Sequence, residues 1–380
     1  MKRGGLLLGL IAAGAAALCR PAAAEAFHRE DLHIAMTAAG DKGLEALLIR
    51  PDDSARHPLA LISHGTESDA QKRSDLTPYT FYRQAVEFAR RGFAALVLLR
   101  RGYGESGGVY AEGRSCCEVE TFLRSAQASI ADLRTAIAAM ERRPDVTTRG
   151  MIAVGVSSGG LATLALTADP PRGLAGAINF AGGIRRSNAS PDDAREADDQ
   201  AALVQTFKSF GEKSRVPTLW IYAANDSYFG PELARRLFAA FTAGGGRAQL
   251  IEAPAFGNDG HHLFADGIPR WTAPVDDFLR SQKLESDNLL AAPAPPDLMP
   301  PVKLSASGRT AFEEFLTRGP HKAFAVSPHG GYGYWTARRS VEDAKQRALS
   351  ACAAHAPDCT LYAIDDALAA SGSEGHSDGR

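Results

Sequence analysis

Residues Met151–Ala168 read MIAVGVSSGGLATLALTA, and the rest of the chain is organised around this stretch. It begins with a short apolar run, Met151–Val156, which is too short for a free-standing helix and is typical of a buried strand. It ends in an alanine- and leucine-rich run, Leu161–Ala168, which favours a helix. The sequence GVSSG at Gly155–Gly159 lies between them. A strand, a sharp turn of small residues and a helix are the context in which a G-x-S-x-G motif presents its serine, here Ser157, as a nucleophile.

A second match to the motif, GESGG at Gly104–Gly108, contains Ser106. More polar residues follow it, and no helix-forming run begins there. The strand–turn–helix context therefore selects Ser157 as the candidate nucleophile. The alternative is that Ser157 is an ordinary small residue in a turn between a strand and a helix.

The composition limits the classes of function. A length of 380 residues allows one large and one small domain. The hydrophobic fraction of 45% is enough for a packed core, and the formal net charge of −2 provides no basic surface field. We therefore expect no nucleic-acid partner.

The first 24 residues are typical of a signal peptide. Lys2 and Arg3 are followed by the apolar run Gly5–Leu18, and Ala22–Ala24 offers a cleavage site before Glu25. We expect a periplasmic or secreted protein that is not inserted in a membrane after the signal is removed. The alternatives are an uncleaved anchor helix, for which the apolar run is short, and a lipoprotein modified at Cys19.

Four cysteines remain after the signal peptide: Cys116, Cys117, Cys352 and Cys359. Exported proteins form disulfides, and Cys352 and Cys359 fall in one small C-terminal unit, so we pair them. Cys116 and Cys117 are adjacent, which leaves open a vicinal disulfide, reduced thiols or burial. No histidine lies at ligand spacing from either pair, so we expect no metal site. We also expect no cofactor.

Residues 25–284 alternate apolar strand patterns with amphipathic helix patterns. This alternation predicts an α/β fold with a mostly parallel, doubly wound sheet. His64, Ser157, Asp226 and His261 each follow a predicted strand. Because ligands bind beyond the carboxyl ends of parallel strands, we expect these four side chains at one edge of the sheet.

The C-terminal region is predicted to be a separate unit. Residues 285–304 are rich in proline and form a semi-rigid linker. Residues 305–366 contain two helix and three strand patterns, which indicate a small α+β domain, and 367–380 form a tail predicted to be disordered. The linker predicts that this domain is tethered at the surface and contributes no triad residue.

A serine hydroxyl needs a neighbouring base, and the base needs an orienting carboxylate. The chain contains Ser157, Asp226 and His261 in the order Ser…Asp…His, which is found in α/β-hydrolases. From Pro51 to Leu284 the sequence resembles that superfamily, and within it the branch of serine hydrolases similar to dienelactone hydrolases and prolyl oligopeptidases. The motifs that carry the resemblance are HGT from His64, RGYGES from Arg101, the Ser157 turn, ND at Asn225–Asp226 and DGH at Asp259–His261.

The resemblance implies that Ser157 is the nucleophile, Asp226 the orienting acid and His261 the base. It also implies that the backbone N–H groups of Thr66 and Ser158 form the oxyanion hole. Prototype dienelactone hydrolases carry cysteine at the turn, whereas this chain carries serine.

Two alternatives at the site stay open. Asp226 could be a loop or capping residue, with Asp259 as its rival. His262 could replace His261 as the base. We expect His64 to support the loop that bears the oxyanion donors and to take no part in catalysis.

The sequence predicts an exported serine hydrolase that cleaves carboxylic esters of a small soluble molecule through an acyl-enzyme. The insert Ile184–Arg215 is charged and unlike an apolar lipase lid, which favours a small substrate over a lipid. One alternative is an aminopeptidase-like amide hydrolase, which needs an acidic patch such as Glu67 or Glu105. The other is a non-catalytic binding protein on the same scaffold.

Overall fold

The computed structural model of the chain describes residues 26–113, 117–185, 194–284 and 288–370. The predicted signal peptide, Cys116 and residues 371–380 lie outside the described residues. Parts of the charged insert and of the linker, 186–193 and 285–287, also lie outside them.

One mixed sheet forms the centre of the large domain. Its strands are β1 (Phe27–Met36), β2 (Gly40–Pro51), β3 (His57–Ser63), β4 (Ala94–Leu98), β5 (Val146–Val156), β6 (Leu174–Phe180), β7 (Thr218–Ala223) and β8 (Ala248–Ala253). They lie in the order β1-β2-β4-β3-β5-β6-β7-β8. β2 is antiparallel to both of its neighbours, and the pairs from β4 through β8 are parallel.

Helices cover both faces of this sheet. They are α1 (Ala70–Asp75), α2 (Tyr82–Arg90), α3 (Val119–Glu141), α4 (Ser158–Ala168), α5 (Ala194–Lys213), α6 (Pro231–Ala243), α7 (Leu263–Asp266) and α8 (Ile268–Ser281). In β3, Leu59 and Leu61 pack in the core with α3 to α6, whereas Ala60 and Ile62 pack in the core with α2 and α8. Because successive side chains of a strand point to opposite faces, a strand buried on both faces needs an unbroken apolar run. The predicted doubly wound architecture is confirmed.

The small domain consists of one antiparallel sheet between two helices. Its elements are α9 (Ala306–Thr317), β9 (Ala323–Val326), β10 (Tyr332–Trp335), α10 (Val341–Ala353), β11 (Thr360–Ile364) and β12 (Ala367–Leu368). The strand order is β10-β9-β11-β12. Phe324 packs with α9 on one face, and its neighbours Ala323 and Ala325 pack with α10 on the other.

The disulfide predicted between Cys352 and Cys359 is confirmed, with their Cα atoms 6.0 Å apart. Cys117 is also disulfide-bonded, which excludes the reduced thiol left open above, and its partner lies outside the described residues.

The predicted start of the tail differs from the structure, because Ala367–Leu368 pairs with β11. Backbone pairing at a sheet edge orders these two residues although their side chains are exposed.

The two domains pack directly against each other, contrary to the expected surface tether. The Thr77 hydroxyl donates to the Ala337 carbonyl at 2.6 Å. The rings of Tyr79 and His321 lie 4.4 Å apart between centroids. Linker composition predicts stiffness, but the contacts between domains depend on side chains far apart in sequence, which composition does not report.

Candidate active site

Ser157 forms the turn between β5 and α4 in a backbone conformation that is rare for a residue with a side chain. Its φ is 56° and its ψ is −123°. Such strain costs about 1–3 kcal/mol and persists only where the surroundings hold it. Here the Ser157 N–H donates to the Phe180 carbonyl at 3.0 Å, and the Ser157 carbonyl accepts from Leu161 and Gly183 at 3.1 and 3.0 Å.

The two glycines of the motif are required by the tight packing of this turn. A Cβ on Gly155 would lie 2.1 Å from the Gly159 carbonyl oxygen. A Cβ on Gly159 would lie 2.2 Å from the Ser63 carbonyl oxygen. The spacing of the motif is therefore a steric consequence of folding α4 back onto β5 and β3.

Ser106, in the second copy of the motif, has a structural role. Its side chain is buried. Its Oγ donates to the Leu99 carbonyl at 2.7 Å and accepts from the Glu45 N–H at 2.9 Å. Both hydrogen-bonding capacities are used within the fold, so this hydroxyl is not presented to a substrate.

Asp226 and His261 form a hydrogen-bonded pair at the carboxyl ends of β7 and β8. His261 Nδ1 lies 3.1 and 3.2 Å from the two carboxylate oxygens of Asp226. Asp226 Oδ1 also accepts the backbone N–H groups of Tyr228 and Phe229, both at 2.9 Å. The Asp226 carboxylate is fully buried, and 14% of the His261 side chain is exposed. In the tautomer that donates a hydrogen bond to Asp226, the proton is on Nδ1, and Nε2 is then the nitrogen that can accept a proton.

Asp259, the rival carboxylate, contacts the backbone of the loop and not the imidazole ring. Its Oδ1 accepts the His261 N–H at 2.9 Å, and its Oδ2 accepts the Ser227 hydroxyl at 2.6 Å. Burial acts to raise the pKa of Asp259, but the Ser227 hydroxyl and the backbone donors outweigh it and keep that pKa below its ordinary value. Asp259 therefore holds the loop that carries His261.

A short path of packed residues joins Ser157 to His261. The Gly183 N–H donates to the Ser157 carbonyl at 3.0 Å. A Cβ on Gly183 would lie 2.3 Å from Cε1 of Phe229, so the ring packs on this backbone. The Phe229 ring is in turn 5.8 Å from the His261 ring. The serine turn and the Asp226–His261 pair thus lie at the same edge of the sheet.

The loop after β3 passes directly against Ser157. A Cβ on Gly65 would lie 3.1 Å from the Ser157 Cβ and 3.7 Å from its Oγ. Thr66, the next residue, is exposed. Ser158 is the first residue of α4, and the first N–H groups of a helix have no acceptor within it. The predicted oxyanion donors, the N–H groups of Thr66 and Ser158, therefore belong to two segments that flank Ser157.

Arg100 is a fully buried residue that the sequence analysis missed. Its guanidinium forms an ion pair with Glu112 and donates to the His64 carbonyl at 2.6 Å and the Ser158 hydroxyl at 3.2 Å. Burial acts to lower the pKa of Arg100, but the Glu112 carboxylate outweighs it and raises that pKa above its ordinary value. Arg100 thereby bridges the two segments that flank Ser157. The only sequence signal is a charged residue directly after an apolar strand.

His64 is buried and supports this loop, as expected. Its Nε2 accepts the Arg100 N–H at 3.1 Å, and its Nδ1 donates to the Gly65 carbonyl at 2.6 Å. Burial, together with the Arg100 charge, holds the pKa of His64 well below its ordinary value. The ring is therefore neutral, with its proton on Nδ1.

The described residues contain neither a metal-binding cluster nor a helix that could span a membrane. Within 26–113, 117–185, 194–284 and 288–370, no three His, Cys, Asp or Glu side chains are grouped so that they could hold a metal ion. None of the helices in these ranges is long and apolar enough to cross a membrane.

The strand order and the single antiparallel strand β2 identify the architecture. The chain has the α/β-hydrolase fold. The turn after β5, on which Ser157 lies, is the position of the G-x-S-x-G motif in this fold. The predicted fold is confirmed, including the small antiparallel sheet domain.

Comparisons with solved structures give matches to two esterases and to a dienelactone hydrolase. An esterase from Pyrococcus furiosus is 16% identical, with 67% of this chain and 90% of that chain covered and a TM-score of 0.46. A provisional dienelactone hydrolase from Klebsiella pneumoniae is 14% identical, covering 68% and 99%, with a TM-score of 0.46. Esterase 2 from Thermogutta terrifontis, phosphonylated by sarin, is 17% identical, covering 68% and 96%, with a TM-score of 0.48. No protein-family model and no curated protein matches the chain.

Proposed function

We propose that the protein is an exported serine hydrolase that cleaves carboxylic esters of a small soluble substrate. The observation that carries the proposal is the Asp226–His261 hydrogen bond at the same sheet edge as Ser157, a serine held at positive φ. A strained serine, an oriented imidazole and a buried carboxylate are together what acyl transfer by a serine requires.

The proposed reaction has two halves. Ser157 Oγ attacks the ester carbonyl while its proton passes to His261 Nε2, and the backbone N–H groups of Ser158 and Thr66 stabilise the resulting oxyanion. The C–O bond to the leaving alcohol then breaks, and His261 donates the proton to that alcohol. A water molecule, deprotonated by His261, next attacks the acyl-enzyme, releasing the carboxylic acid and restoring Ser157. Asp226 stays ionised and stabilises the imidazolium in both halves.

The proposal of a small substrate rests on the sequence of the insert Ile184–Arg215, which is charged and unlike an apolar lipase lid. A cleft of about 250 Å³ lies beside Tyr228, whose ring centroid is 4.5 Å from that of His261. Arg185 and Arg236 are among its lining residues. The described lining of this cleft includes none of Ser157, Asp226 and His261, so the cleft adjoins the candidate site and does not itself define the substrate.

The amide-hydrolase alternative finds less support, because both candidate acids have local partners. Glu105 faces Arg339 at 3.7 Å. Glu67 accepts the Asp69 N–H at 3.0 Å. Glu105 therefore already faces a cation, and one carboxylate oxygen of Glu67 is held by its own loop, which weakens each as a binding site for a substrate amine.

The decisive experiment is covalent labelling with a fluorophosphonate, followed by mass spectrometry of the labelled peptide. We expect one adduct on Ser157 and turnover of small activated esters, with peptides cleaved poorly. Ser157→Ala should abolish labelling and turnover, whereas the matched variant Ser106→Ala should keep both. An adduct on Ser106, or none in a folded protein, would refute the proposal.

Export is the remaining part of the proposal, and it rests on residues 1–24 of the sequence alone. Edman sequencing of the protein recovered from a periplasmic or culture fraction should give a new N-terminus at Glu25. An intact Met1 on the recovered protein would contradict signal cleavage.

A further inference from the structure

The small domain contacts the hydrolase domain at the segment that follows α1, and it does so mainly through arginines. Arg347 donates to the Asp75 carboxylate at 3.0 Å. Arg338 donates to the Asp75 carbonyl at 3.2 Å, and Arg339 donates to the Leu76 carbonyl at 2.6 Å. Three arginines of the small domain therefore hold the segment that leads away from Thr66, the predicted oxyanion donor.

Arg339 also binds a buried carboxylate of the hydrolase domain. Its guanidinium binds Glu45 through two parallel hydrogen bonds of 2.8 and 3.0 Å. Only 8% of the Glu45 side chain is exposed. Two hydrogen bonds from one planar guanidinium fix the orientation of the carboxylate as well as attracting it. The ammonium group of lysine does not reproduce this paired geometry.

The same contact fixes the loop after β4, which bears Arg100. Glu45 Oε2 accepts the Glu105 N–H at 2.7 Å. A Cβ on Gly104 would lie 2.6 Å from the Arg339 guanidinium and 2.5 Å from Glu45 Oε2. With a φ of 55°, Gly104 allows this close approach.

Arg73 connects the Arg339–Glu45 contact to the loop that contains Thr66, the predicted oxyanion donor. The Gly104 N–H donates to the Arg73 carbonyl at 2.8 Å. The Arg73 guanidinium donates to the carbonyls of Glu67 and Ser68 at 3.2 and 2.7 Å. These two residues directly follow Thr66, so the fixed loop and the oxyanion donor are linked through a continuous set of hydrogen bonds.

We propose that Arg339 is a positioning residue for the active site, and that the small domain is an integral part of the catalytic unit. Arg339 acts through Glu45, Gly104 and Leu76 on the loop after β4, which bears Arg100, and on the segment that leads away from Thr66. It contacts no reacting atom. The proposal rests on the proposed hydrolase function, because its readout is the rate of acyl transfer. It also replaces the expectation that the small domain is only tethered at the surface.

The test uses the full-length chain and compares Arg339→Ala and Arg339→Lys with wild type. We expect Arg339→Ala to lower kcat for a small activated ester, and the rate of fluorophosphonate labelling, by roughly tenfold, because small misplacements of catalytic groups are costly. KM should change by less than about twofold, since substrate contacts are untouched. Arg339→Lys should recover only part of the loss.

Lys345→Ala is the matched control, because Lys345 lies in the same domain and pairs with Glu342, three residues away, at 2.7 Å. It should keep wild-type kcat. If Arg339→Ala does not fold, Glu45→Gln tests the same contact from the other side and should lower kcat in the same way. Folded variants with wild-type kcat would overturn the proposal. A wild-type protein with neither labelling nor turnover would instead refute the hydrolase function itself.

Discussion

His261 Nδ1 lies within hydrogen-bonding distance of both carboxylate oxygens of Asp226, although 35 residues separate the two in sequence. Asp259, only two residues away, binds the His261 backbone N–H instead. The pairing follows from the strands, because β7 and β8 are parallel neighbours that end at the same edge. Asp226 is therefore the carboxylate that can orient the ring.

Asp226→Asn should lower kcat by about 10⁴-fold, because the amide no longer selects the tautomer with its proton on Nδ1 and no longer stabilises the imidazolium. The matched variant is Asp259→Asn, which keeps the Asp226 contact. It should cost less than about tenfold, since it alters the loop and not the ring. Steady-state kinetics on a small ester measure both. Equal losses in the two variants would contradict the assignment of Asp226.

His261→Ala should lower kcat by about 10⁴- to 10⁶-fold, as removal of a triad base does. His262 is exposed and its ring centroid lies 6.4 Å from that of His261. His262→Ala should therefore leave kcat close to the wild-type value. The two variants are compared at equal concentrations of folded protein. A larger loss for His262→Ala would mean that the adjacent histidine is the base.

Gly159→Ala should destabilise the protein by about 1–3 kcal/mol, the usual cost of forcing extra atoms into a packed site. The new Cβ would lie 2.2 Å from the Ser63 carbonyl oxygen. Ser63 is the last residue of β3, so its backbone is held in the sheet and does not move away easily. Labelling of Ser157 should fall as well, because the turn must shift. Gly113→Ala is the control, since its Cβ would meet Tyr110 at an ordinary 3.6 Å. Urea denaturation measures the loss, and a wild-type midpoint for Gly159→Ala would be the contrary result.

His64 should make stability depend on pH. Its pKa in the folded state is well below 6.5, whereas the unfolded chain takes up a proton near that pH. The unfolded state then binds more protons, so the free energy of unfolding falls below pH 6.5 by up to about 1.4 kcal/mol per pH unit. His64→Gln, which keeps an acceptor for the Arg100 N–H, should remove this contribution.

The measurement is urea denaturation at several values between pH 5 and 8. His329→Gln is the control, because 63% of the His329 side chain is exposed. It should keep the wild-type slope. An unchanged slope in His64→Gln would show that another group accounts for the dependence.

Local patterns in the sequence are enough to predict the order of elements and the position of the candidate nucleophile. The run Met151–Ala168 specifies a buried strand and a helix through local apolar patterning, and Gly155 and Gly159 are needed within a few residues of Ser157. The chain order then places Asp226 and His261 after their strands. These are local properties, which backbone sterics and side-chain pattern control without reference to the rest of the chain.

The pairing of the charged groups, in contrast, depends on how the whole chain packs. Arg339 and Glu45 are separated by 294 positions in sequence, and Arg100 binds Glu112 beneath the serine turn. The sequence does not show whether an arginine is solvated or buried. Its partner is set by packing and by the cost of leaving a buried charge unpaired. That cost depends on the complete fold, so composition and spacing predicted a tethered accessory domain where the structure has one that is held against the active-site loops.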